Sequence, residues 1–263
     1  MIIDAHVHVH PDPKGFGEKY DASVEVLINN LEVSPVEKAC VLPIAADDPF
    51  LRNVKNEFVA EICEKYPDKL IGFASVDPKK GDEAAIELED LVDKYDFKGL
   101  KLHPRFQGFS PDDPKIFPVV KKAGELGIPV AIDSYIWKPT PLKWQMPLLI
   151  DDLAKAAPET TIIVCHSGGY RFMDALFICK ANDNIYLDTS ATLHWLMGTP
   201  FEAQFAFMLK SAGANRIIFS SDHPEHPTKD CYVDTKLSLD KFGFTEKEQE
   251  LIFGENIMRL LGI

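Results

Sequence analysis

Leu70-Ile71-Gly72-Phe73-Ala74-Ser75-Val76 leads into Ala85, Leu88, Leu91 and Val92 at helical spacing, and then into Gly99-Leu100-Lys101-Leu102. The pattern is a strand, an amphipathic helix and a second strand. Both strand runs are apolar on nearly every residue, which marks strands buried on both faces, and a helical crossover between them makes the pair parallel. The same unit recurs outward from this stretch. Further β-rich runs occupy residues 2–9, 39–44, 129–132, 161–165, 185–187 and 217–220, and Val24-Leu27-Ile28-Leu31 and Phe201-Phe205-Met208-Leu209 supply helical spacing between them. About eight βα units in 263 residues predict a single (β/α)8 TIM barrel spanning residues 1–263 as one domain, since such barrels run to about 250 residues. A doubly wound open sheet is the competing arrangement. No G-x-G-x-x-G follows any strand, and Gly168-Gly169 alone does not make a phosphate loop.

Composition narrows the partners. The formal charge is −13, which argues against nucleic acid and anionic membranes and leaves a small-molecule substrate as the expected partner. No apolar run approaches the ~20 residues of a membrane span, and the N-terminal Met1-Ile2-Ile3-Asp4 lacks the regions of a secretion signal. The expectation is a cytoplasmic protein. Five scattered cysteines without a C-x-x-C pair predict neither a disulfide framework nor a zinc knuckle. Two connections, 104–114 and 134–147, exceed what a barrel needs. The second carries Tyr135, Trp137 and Trp144, which belong either to the active face or to a subunit contact.

Polar residues stand where the strands end. In Ile2-Ile3-Asp4-Ala5-His6-Val7-His8-Val9 the odd positions are apolar and are expected to pack outward, so that Asp4, His6 and His8 share the inner face. Two imidazoles about 6.6 Å apart along a strand converge on one ion, and H-x-H is a metal signal. His10 lies before Pro11, in a loop. Lys101 and His103 alternate with leucine; Lys101 is either a site residue or the partner of Asp4 or another inward carboxylate. His166 and Asp222 finish two more strands. Strands one, four, six and eight thereby deliver His or Asp to one rim.

Taken with Asp4-Ala5-His6-Val7-His8, the segments Lys98-Gly99-Leu100-Lys101-Leu102-His103-Pro104, His166-Ser167-Gly168-Gly169, Leu187-Asp188-Thr189-Ser190, Arg216-Ile217-Ile218-Phe219-Ser220-Ser221-Asp222-His223-Pro224 and Asn256-Ile257-Met258-Arg259-Leu260-Leu261 resemble the amidohydrolase superfamily. The resembling branch is the compact amidohydrolase-2 barrels, which include aminocarboxymuconate semialdehyde decarboxylase and related hydrolases. The resemblance implies that His6 and His8 are metal ligands, that Asp222 binds metal and handles protons, and that His166 is catalytic, with His103 able to assist. Where the family has a histidine ending strand five, this chain has Asp133, the natural replacement ligand. The implied site is one divalent ion, zinc or the harder manganese, on His6, His8, Asp133 and Asp222. Metal-free lactone hydrolysis also occurs in this branch.

The function implied is hydrolysis of a small amide, ester or lactone by a metal-activated water. The alternatives are non-oxidative decarboxylation of an unsaturated or aromatic acid and a catalytically silent barrel that binds metal or ligand. Arg105, with Lys101 and Trp137, is the expected substrate contact; Arg52 and Arg171 are further candidate carboxylate clamps or ordinary surface residues. Relatives of this type pair, which brings a homodimer into view.

Overall fold

The computed structural model describes residues 1–46, 53–135 and 141–263. Eight strands occur in chain order: β1 (Ile3–Val7), β2 (Lys38–Val41), β3 (Leu70–Gly72), β4 (Leu100–Leu102), β5 (Val130–Ile132), β6 (Ile162–Val164), β7 (Ile185–Asp188) and β8 (Ile217–Ile218). All their pairings are parallel, in sheets of order β1-β2-β3 and β4-β5-β6-β7-β8. Two bridges join the sheets, Ala74 to Leu100 and Val7 to His223. The second seam is also held by Ala5 N–H to Phe219 O at 3.1 Å, His8 N–H to His223 O at 2.7 Å and Asp222 N–H to His6 O at 3.0 Å. The chain is a (β/α)8 barrel, as its alternation predicts.

The helices are α1 (Val24–Glu32), α2 (Asn56–Lys65), α3 (Asp82–Tyr95), α4 (Pro104–Gln107), α5 (Phe117–Glu125), α6 (Leu149–Ala156), α7 (Phe172–Ala181), α8 (Thr192–Leu196), α9 (Glu202–Ala212), α10 (Thr228–Lys241), α11 (Glu246–Glu250) and α12 (Asn256–Leu261). Each long one lays an apolar stripe on the barrel; α1 buries Val24, Leu27 and Leu31. Strand residues such as Leu100, Leu102, Val130, Ile132, Val164 and Leu187 form the layer between barrel and helices. A second cluster fills the interior with Ile3, Ala5, Cys40, Phe73, Ala131, Ile163 and Ile218, joined by Ile257 and Leu261 of α12. Burying each such side chain contributes roughly 1.5–3 kcal/mol. Among the described residues no helix is long and apolar enough to cross a membrane.

β1 departs from simple alternation. Its register on β2 shifts between Asp4 and Val7, three residues facing the two from Ala39 to Val41. This extra residue reverses the parity of everything after it. Ile3 and Ala5 therefore point into the barrel, while Val7 and Val9 point out to the helices. The expectation that Asp4 shares a face with His6 and His8 is corrected accordingly. Asp4 instead accepts from Ser221 N–H at 2.9 Å, Thr228 Oγ1 at 2.9 Å and His6 N–H at 3.3 Å. It ties β1 to the start of α10.

Candidate active site

The strand ladders stop early, and the residues just beyond them make the site. His6 and His8 are both buried. His6 Nδ1 donates to Asp188 Oδ2 at 3.0 Å, and His8 Nδ1 donates to the Leu42 carbonyl at 2.7 Å. Both Nε2 lone pairs then face one another at 3.0 Å. Asp222 Oδ1 stands 3.7 Å from the first and 3.6 Å from the second. Two acceptors facing each other beside a carboxylate repel unless a cation lies among them. The donor chemistry fits a divalent ion: neutral imidazoles fixed by outer partners, with one carboxylate, all within 4.8 Å of one another.

Their protonation agrees. Burial, reinforced by Lys101, lowers His6 to about 4, and burial with the neighbouring His6 lowers His8 well below the ordinary value. Both are neutral at physiological pH. Burial pushes Asp222 up to about 7, against the pull of His166.

His166 sits in a tight turn after β6 with φ 60°, followed by Ser167 at φ 45°. Such left-handed backbone at non-glycine residues costs of order 1–3 kcal/mol each. Asp222 adopts it too, at φ 70°. Gly168 completes the turn at φ 78°, where a side chain would strike Pro147. Asp188 Oδ1 accepts the His166 N–H at 2.6 Å and Ser190 N–H at 3.0 Å, so one carboxylate fixes both His6 and the turn. His166 Nε2 meets Asp133 Oδ2 at 3.0 Å, and Nδ1 meets Ser190 O at 3.2 Å. Burial alone would lower His166, but Asp222, Asp133 and Asp188 surround it and hold it up at about 9. It is an imidazolium.

Asp133, expected as the fourth ligand, is not in the His6, His8 and Asp222 group whose ligand atoms lie within 4.8 Å of one another. Its Oδ2 is shared between His166 and His103 Nε2, the latter at 3.5 Å. Burial and the nearby Arg105 and Lys101 keep His103 neutral, against the pull of Asp133. Lys101 is fully buried beneath the cleft rather than on its wall, with Nζ 3.0 Å from His6 Nε2. Its alternative pairing with Asp4 is not formed. Arg105, in α4, lines the cleft with Phe16, Phe106, Tyr135 and Asp222. Its guanidinium lies over Phe106 at 4.3 Å and Tyr135 at 5.5 Å, and its buried Nε has no hydrogen-bond partner. Arg171 is on the surface, paired with Asp174. Trp137 and Arg52 lie outside the described residues.

Asp188 is the functional residue that sequence reasoning left without a role. Its position at the end of β7, in register with the other strand-end polar residues, is the signal that would have identified it. The cavity enclosed among the side chains that line the cleft measures about 50 Å³.

A family model described as Amidohydrolase matches residues 3–263. A curated relative, 2-amino-3-carboxymuconate-6-semialdehyde decarboxylase of Dictyostelium discoideum, is 23% identical over 240 residues, covering 79% of this chain. The match spans 65% of that relative's own length. Among solved structures, an uncharacterized TIM-barrel protein from Bordetella bronchiseptica superposes with TM-score 0.82 at 20% identity, covering 99% of this chain and 98% of that one. A dihydroxybenzoic acid decarboxylase from Polaromonas, solved with manganese and the inhibitor 2-nitroresorcinol, superposes with TM-score 0.75 at 18% identity, covering 99% and 96%.

Proposed function

Because the chain belongs to the amidohydrolase family, we propose that it is a metal-dependent enzyme that removes CO₂ from a small unsaturated or aromatic carboxylic acid. Hydrolysis of a carbonyl-containing acid is the second reading. Arg105 carries the proposal. A guanidinium held in a cleft wall between two aromatic rings, with no carboxylate in ion-pair range among the described residues, is arranged for an anion on a flat molecule. The decarboxylases similar to this chain act on such acids.

A divalent ion on His6, His8 and Asp222 would supply positive charge to a substrate oxygen. Three protein ligands leave positions open for substrate, and the mixed N and O donors suit zinc or manganese. Arg105 draws the acid into the cleft, while Phe16, Phe106 and Tyr135 flank the ring and exclude water. His166, kept charged by Asp133, adds a fixed donor for developing negative charge. As the carbon–carboxyl bond breaks, its electron pair stays on the ring carbon and takes the proton held by Asp222; the resulting carboxylate regains a proton from solvent. In the hydrolytic reading the same carboxylate is ionised and accepts the proton of water.

The deciding experiment incubates the metal-loaded protein with unsaturated and aromatic carboxylic acids and follows CO₂ release against ring opening. Gas evolution supports decarboxylation, and ring opening without gas overturns it in favour of hydrolysis. No turnover of any acid, ester, lactone or amide would favour a silent metal-binding barrel. Five free cysteines are in keeping with the proposed cytoplasmic location.

A further inference from the structure

Lys101 is fully buried, yet among the described residues no carboxylate lies within 4.0 Å of its ammonium. Fully buried lysines are almost always paired. Its two polar partners are His6 Nε2 at 3.0 Å and the thiol of Cys165 at 3.4 Å. The second is a weak acceptor. The first is the same nitrogen that faces His8 and Asp222.

His6 has already committed its Nδ1 proton to Asp188, so Nε2 carries one lone pair. That pair cannot accept an ammonium N–H and bind a metal at once. We propose that Lys101 is a resident cation competing with the metal for His6 Nε2: it satisfies the imidazole when the ion is away, and must release it on loading. Once released, the ammonium keeps only the thiol as partner and stays close to a doubly charged ion in a dry interior, where like charges repel strongly. Both effects hold affinity down. Lys101 is thus a positioning residue that makes the site weak and exchangeable. This inference rests on reading His6, His8 and Asp222 as the metal ligands.

The test measures Mn²⁺ binding to metal-stripped wild-type protein and to Lys101→Met, Lys101→Gln and Lys101→Arg, by competition with a chromophoric chelator, with thermal melts to verify folding. The expected result is at least tenfold tighter binding by Lys101→Met or Lys101→Gln, and none of that gain in Lys101→Arg, which keeps the charge. Equal or weaker binding by the neutral variants overturns the role of Lys101 and leaves the metal site standing. If neither wild type nor variants bind Mn²⁺, the metal-site reading fails and this inference with it. An independent measurement needs no folded Met or Gln variant. In wild-type protein labelled with ¹⁵N-lysine, the one protected ammonium resonance missing from Lys101→Arg should shift or vanish on adding Zn²⁺; an unmoved resonance overturns the proposal.

Discussion

In the metal-free protein burial raises Asp222 more than the His166 imidazolium lowers it, and the outcome is about 7. The sign of the pH profile separates the two chemistries. If Asp222 gives its proton to carbon, turnover of the metal-loaded protein falls as pH rises through the apparent pKa of that group; if it takes the proton of water, turnover rises there. Replacing it with Asn should lower turnover by about 10²–10⁴-fold while the thermal melt of the metal-free protein holds, and activity near the wild-type level would remove Asp222 from the reaction. Arg105→Gln should raise KM for an anionic substrate at least tenfold with a smaller change in kcat, whereas unchanged KM would show that the acid binds elsewhere.

Strands and helices explain why part of the site was legible from sequence. The terminal polar residues of β1, β4, β6 and β8 are visible because strands run apolar until they leave the ladder. What periodicity could not show is the extra residue in β1. Alternation read straight through puts Asp4 beside His6, whereas the shift between Asp4 and Val7 separates them; only pairing with β2 exposes it. The partner of Asp133 was equally hidden, because the left-handed turn at His166 aims the imidazole across the barrel mouth in a way strand parity does not encode. The short helices α4 and α8 were missed for lack of length. Helix packing yields its own test at Glu202 in α9. Burial raises its carboxyl, but the Lys241 ammonium at 2.8 Å and the Gly198 N–H at 3.0 Å prevail and hold it below its ordinary value. Its stabilisation is present above about 4.5 and is lost as pH falls through its folded value. Glu202→Gln should lower stability by roughly 1–3 kcal/mol at neutral pH, with the difference from wild type narrowing in acid; a constant difference across that range would refute the ion pair's contribution.

For the molecule as a whole, α12 joins the interior cluster through Ile257 and Leu261, and the proposal of one domain predicts a single cooperative melting transition. Two separated transitions would contradict it. A homodimer is proposed on the family resemblance, and sedimentation equilibrium giving the mass of one chain, 29.5 kDa, would contradict that. The barrel is stitched from three strands and five, and His6 and His8 lie on one side of a seam with Asp222 on the other. An ion bound by all three would clamp the cylinder shut where its ladder is thinnest. Loading should therefore slow deuterium uptake at the amides of Ala5, His8 and Asp222 far more than at the β5–β6 contact, coupling catalytic readiness to the mechanical closure of the barrel.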